Sequence, residues 1–155
     1  MSVVLPVDIY SPDQLSELVL ELQDLAAQQR NIAARSKNNN ESLTTSAELS
    51  QLLHQNNISP ASVSALEALE KEIAAILSTA PTSHLLLAAM PTRAFKRQII
   101  AWFRTEISPL ALVTFAARSD IGGGAIVQAG SHVYDFSFRR LVIANKARIA
   151  EIAGV

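Results

Sequence analysis

Apolar residues recur at three- and four-residue spacing through the first half of the chain, and the period changes in the second half. Ser11-Pro12-Asp13-Gln14 opens the first helix, with a serine N-cap, proline at the first helical position and a glutamine placed to close a capping box. Leu15, Leu18, Val19, Leu22, Leu25 and Ala26 then form one stripe, which predicts a helix to about Arg35. The run SKNNNES breaks it, because asparagine and serine compete for backbone hydrogen bonds. Thr45 with Glu48 predicts a second capping box, followed by Leu49, Leu52 and Leu53 and a stop at Asn56-Asn57. Ser59-Pro60 predicts the start of a third helix, with Val63, Leu66, Leu69, Ile73, Ile76 and Leu77 facing its partners until Pro81. Each stripe must be buried against another helix, so a bundle of about three helices is expected.

HLLLAAM, His84 to Met90, is a short apolar run between prolines and reads as a buried strand. The helical period returns from Thr92, with Phe95, Ile99, Trp102, Phe103 and Ile107 on one side and Arg93, Lys96, Arg97 and Arg104 on the other. Trp102 reads as core, and its place beside Arg104 also suits an interface anchor. LALVTFAAR, Leu110 to Arg118, is rich in β-formers, GAIVQAG follows as a further strand, and SHVYD as a fourth. Asp135 or Ser137 can cap a last helix running through Arg139, Leu141, Val142, Ile149 and Ile152. The expected class is α+β: residues 1–81 a helical domain, residues 82–155 a small sheet domain ordered β-α-β-β-β-α with one or two hairpins.

At 155 residues the chain can bury a real core. Its apolar runs, such as Ile99 to Phe103, fall far short of the roughly 20 residues that span a bilayer. No basic, apolar and cleavage-site sequence marks a secretory signal at the N-terminus. The absence of cysteine excludes disulfides and thiolate metal sites and suits the cytoplasm. Charge changes the picture more. Residues 1–80 carry a balance of −6 and residues 81–155 a balance of +5. That asymmetry fits two modules facing different electrostatic partners, or simply two solvated faces.

Gly122, Gly123 and Gly124 beside a strand invite a phosphate-loop reading, which fails on detail. A dinucleotide fingerprint needs a third glycine where Val127 stands, and a Walker loop needs a lysine, of which there is none between Lys96 and Lys146. A strand comes after the glycines, so no helix N-terminus is available to an anion. A tight turn or bulge between strands is the better reading. His54, His84 and His132 lack a second ligand at helical spacing, so no metal site is expected. Ser131, His132 and Asp135 are local to a turn and do not form a triad. The basic residues are not interleaved with aromatics as nucleic-acid binding requires.

The stretch SDIGGGAIVQAGSHVYDFSFRRLV resembles the C-terminal signature of the delta subunit of F-type ATP synthase, the oligomycin-sensitivity-conferring protein family. Ile121-Gly122-Gly123 takes the apolar and Gly-Gly part, Ala125 to Val127 the strand, Gly130 the turn, and Val133 to Ser137 the apolar pair with Asp-x-Ser. Arg139 and Arg140 fall in the closing helix, and HLLLAAMPTRAFKRQIIAWF stands where the family has its preceding strand and helix. The likeness covers about Ser83 to Val155. Asp120 replaces a usual apolar residue, Gly124 replaces a larger one, and the family's six-helix bundle finds only about three helices here.

The resemblance implies a non-catalytic peripheral-stalk subunit without a cofactor, which joins the catalytic hexamer (through alpha-subunit N-termini) to the b-type stalk helices. It would be cytoplasmic, held on the inner face of the cell membrane through the complex, and would bind no nucleic acid. Ile121, Gly122, Gly123, Gly130, Asp135 and Ser137 would be structural. Arg93, Lys96, Arg97, Trp102, Arg104, Arg139 and Arg140 would be interface candidates. The alternative is a stator-like regulator of a flagellar or type III secretion ATPase, whose long coiled-coil arm is not evident in the chain. A small ligand-binding or enzymatic α+β domain would need a polar cluster that the sequence does not display.

Overall fold

Among the described residues three helices precede a sheet-bearing half, the α+β order that the periodicity predicts. The structure is a computed structural model and describes residues 3–34 and 45–145. The chain divides into two compact units, Met1–Ala80 and Pro81–Val155.

The first unit holds α1 (Pro12–Ala34), α2 (Ala47–Gln55) and α3 (Val63–Thr79). At the start of α1, Gln14 Oε1 accepts from the N–H groups of Tyr10 and Ser11, and Ser11 Oγ accepts from Gln14 N–H. This is the expected capping box. Helices α1 and α3 run antiparallel, since Gln23 meets Glu70 while Arg30 meets Glu67. Leu15, Leu22, Leu66, Leu69 and Ile73 are buried. Each such side chain stabilises the fold by about 1.5–3 kcal/mol. Leu49, Leu52 and Leu53 of α2 complete the core with Val3, Leu5, Pro6 and Ile9 of the N-terminal segment. Asn56 holds that segment in place, accepting from Val4 N–H and donating to Val4 O.

Two helix starts differ from expectation. The N-cap of α2 is Ser46, one residue after Thr45, and its Oγ accepts from Leu49 N–H at 3.0 Å. Glu48 closes no box, because Glu21 of α1 supplies the carboxylate, accepting from Ser46 N–H and Ser46 Oγ–H at 2.6 and 2.7 Å. Helix α3 begins at Val63 and not at Ser59-Pro60. Pro60 instead lies in a turn closed by Ser62 N–H on Ser59 O. Proline suits the second position of a turn as well as the first position of a helix, so the two are indistinguishable by local sequence. The SKNNNES break lies outside the described residues.

The second unit contains β1 (Thr82–Leu87), α4 (Arg93–Glu106), β2 (Leu112–Ala117), a 3-10 turn (Ser119–Ile121), β3 (Ala125–Ala129), β4 (His132–Asp135) and α5 (Phe138–Ala144). The sheet order is β2-β1-β3-β4; β1 is parallel to β2 and antiparallel to β3, and β3 and β4 form the one hairpin of this sheet. The register aligns Phe115, Leu85, Val127 and Tyr134 in a row across one face. Lys96 of α4 sits 5.5 Å from the Phe115 ring centre, so α4 covers that face at its β2 end. Cover fades toward β4: Leu85 is buried, whereas Tyr134 is half exposed. Ile149 and Ile152, expected in the last helix, lie outside the described residues.

Helix α4 is rotated relative to expectation. Ile100 and Phe103 are its buried residues, while Phe95, Trp102 and Ile107 of the expected stripe are about half exposed. Trp102 is therefore not core; its ring meets Phe103 edge-on at 5.2 Å. The rotation brings Lys96 and Arg104 partly inward. Lys96 lays its ammonium over the Phe115 ring, and Arg104 carries its guanidinium Nε below the surface. A pattern that assigns every charge to solvent mistakes this face for the outer one.

Candidate functional site

The glycine segment links the end of β2 to the hairpin. Arg118 N–H closes onto Leu87 O, the 3-10 turn comes next, and Ile121 is buried beneath it. Gly122 then takes the left-handed conformation, with φ 70°. At Gly124, φ is 80°, and a Cβ would stand 2.3 Å from Phe136 O and 3.0 Å from Ser137 Cα. Glycine is needed there because two backbones touch. Phe138 N–H donates to Gly123 O at 3.0 Å and Phe136 N–H to Ala125 O at 2.8 Å, so the glycine turn is fastened to the corner between β4 and α5. Gly130 supplies the hairpin turn, with φ 57°. The triple glycine leads directly into β3, the strand expected from the sequence.

That corner is capped as well. Ser137 is buried, and its Oγ accepts from Arg140 N–H to begin α5. Asp135 Oδ1 accepts from Ser137 N–H at 2.8 Å. Hydrogen bonding from Ser137 holds the Asp135 carboxyl below its ordinary pKa. Both residues of the Asp-x-Ser pattern thus act on the backbone.

Beside the corner opens a cleft of about 340 Å³. Ile121, Ile126, Ile143 and Ala144 supply its apolar lining, and Arg118, Asp120, Asp135, Arg139 and Arg140 its charges. Arg118 presents a two-pronged fork to Asp120, its Nε at 3.0 Å from Oδ1 and its Nη2 against Oδ2. Arg139 approaches the same carboxylate at 4.0 Å. The hydrogen bond from Arg118 lowers the pKa of Asp120, and Asp120 in turn raises that of Arg118. Arg140 donates to Asp135 O at 3.1 Å.

The interface candidates are thus divided between places. Arg93, Lys96, Arg97, Trp102 and Arg104 lie on α4, where partial burial lowers the Arg104 pKa by desolvation. Arg139 and Arg140 line the cleft with Arg118, a residue that the sequence pattern does not single out. Nor does the pattern reveal the apolar surface of the hairpin and α5. Val133, Tyr134, Phe136, Phe138, Leu141 and Ile143 are each at least half exposed. The rings of His132, Tyr134 and Phe136 stand nearly parallel at 6.4 and 6.5 Å along one edge of β4. Their two-residue spacing is the available signal, since alternate strand residues share a face. Elsewhere, His84 Nδ1 meets Thr114 Oγ1 at 2.6 Å across β1 and β2.

Among the described residues no three His, Asp or Glu side chains converge to hold a metal ion, and no helix is long and apolar enough to cross a membrane. No family model matches the sequence, and no curated protein matches it either.

Proposed function

We propose that this chain is a non-catalytic connector in the peripheral stalk of a rotary F-type ATP synthase. The unit from Pro81 receives b-type stalk helices, and the acidic helical unit faces the catalytic hexamer. The connector resists torque while the rotor turns, so that proton flow drives ATP formation. The complex would be held at the inner face of the cell membrane, with nucleotide handled by the hexamer.

The observation that carries this reading is the exposed surface of β4 and α5. Six large apolar side chains between Val133 and Ile143 are half or more exposed, and Ile143 shares the cleft with three arginines. Tyr134 and Phe136 stack on one side of β4, whereas Val133 points to the other. Exposed apolar side chains of this kind mark association sites, and a helix with an apolar stripe and acidic flanks is a natural complement. The opposite charge balances of the two halves, −6 and +5, favour different partners at the two ends. The resemblance in Ile121-Gly122-Gly123 and Asp135-Phe136-Ser137 supplies the identity of those partners.

The test is co-purification of the full chain with a b-type stalk subunit and with the hexamer. Replacing Tyr134 and Phe136 together by serine is expected to weaken stalk binding by about tenfold or more and to leave hexamer binding intact. Stalk crosslinks confined to residues 1–80 would sink the assignment.

A further inference from the structure

The cleft between the 3-10 turn and α5 has its own chemistry, independent of the stalk assignment. Its rim carries three guanidinium groups and two carboxylates, a net charge of one positive unit. The donors are unevenly used. The Arg118 fork is engaged by Asp120, and one Arg140 Nη donates to Asp135 O. Arg139 reaches Asp120 only at 4.0 Å, and its side chain is 65% exposed. Asp120 therefore lies between two guanidinium groups but satisfies only one of them well. One further carboxylate would neutralise the cleft and give Arg139 the close, charge-assisted contact that it lacks. Ile121, Ile126 and Ile143 line the space beside that position. An anion with an apolar body fits better than a small hydrated one.

We infer that this cleft binds a single carboxylate carried on a branched apolar group, with Arg139 as its main cation and Asp120 as a built-in competitor. Such a group occurs at the C-terminal leucine of a protein chain and in a free branched-chain acid. At about 340 Å³ the cleft has room for one such group, near the lower limit of small-molecule sites.

The experiment tracks the methyl resonances of Ile126 and Ile143 in the full chain during titration with 4-methylpentanoate. 4-Methylpentanamide serves as the uncharged isostere. The expected result is saturable shifts with the acid and an affinity at least tenfold lower for the amide, since the charge-assisted contact is lost. Arg139→Gln should weaken binding of the acid about tenfold, whereas Lys71→Gln, which removes the same charge elsewhere, should change it less than twofold. Asp120→Asn should strengthen binding about threefold or more, because it frees the Arg118 fork. A residue that only maintains the fold would produce no such gain. A parallel titration with N-acetyl-Ala-Ala-Leu separates the sources: affinity tenfold above that of 4-methylpentanoate identifies a chain end, and equal affinity a free acid. Equal binding of acid and amide, or indifference to both Arg139→Gln and Asp120→Asn, overturns the proposal.

Discussion

Replacing Gly122 and Gly124 separately by alanine distinguishes backbone strain from backbone collision. Both have positive φ, at 70° and 80°, so both substitutions incur the left-handed penalty of about 1–2 kcal/mol. Alanine returns about 0.4–1 kcal/mol by restricting the unfolded chain. At Gly122 the added methyl meets nothing within 4 Å, so the net loss should be about 1 kcal/mol. At Gly124 the methyl would stand 2.3 Å from Phe136 O, and no side chain can swing aside to relieve it. The β4–α5 corner must move, which endangers the bonds from Phe136 N–H to Ala125 O and from Phe138 N–H to Gly123 O. Each contributes about 0.5–1.5 kcal/mol, raising the expected cost of Gly124→Ala to about 3 kcal/mol. Trp102 is the single tryptophan and lies in the second unit, so its fluorescence during urea unfolding reports that unit. Equal midpoints for the two variants would refute the collision argument; a Gly124→Ala protein more stable than the parent would refute the strain argument as well.

Ser46→Ala should destabilise the first unit by about 1–2 kcal/mol, because it removes the cap on Leu49 N–H and one of the two bonds to Glu21. A double-mutant cycle with Glu21→Gln, read by circular dichroism, should show coupling between the two positions, and strict additivity would count against the shared cap. Asp135 has a depressed folded pKa, so it contributes stability above its unfolded pKa of about 3.9, and that contribution fades as pH falls through the lower folded value. Asp135→Asn should therefore flatten the acid limb of stability against pH. Carboxyl NMR titration should place the Asp135 midpoint below the unfolded value, and a midpoint above it would reverse the sign.

The sequence patterns that foretell structure are local. Ser11 with Gln14, Gly130 between two short strands, and Ser137 before Arg140 each act within a few residues, and the caps and hairpin form where they stand. Expectation fails where a distant residue decides the outcome. Glu21 reaches Ser46 across 25 positions and replaces the acid that local spacing assigns to Glu48. Helix α4 buries Ile100 and Phe103, although Phe95 and Trp102 have equally helical spacing, because spacing alone does not say which side of a helix the fold will cover. The cleft joins Arg118 and Asp120 to Arg139 and Arg140 only after the hairpin folds back, so linear order keeps its charges apart. The exposed hairpin escapes notice because alternation alone does not reveal which strand lies at an edge.

The fastening of the glycine turn to the β4–α5 corner also has a mechanical consequence. As an edge strand, β4 would be peeled one bond at a time by a force directed away from the sheet. A force along the strand would load its short ladder together. The bonds onto Gly123 O and Ala125 O lie at the corner where a pull on α5 would enter. They would spread that pull into the glycine turn as well as the hairpin. The closeness that excludes a methyl at Gly124 therefore shortens the lever arm between α5 and the sheet, leaving little slack for the corner to flex.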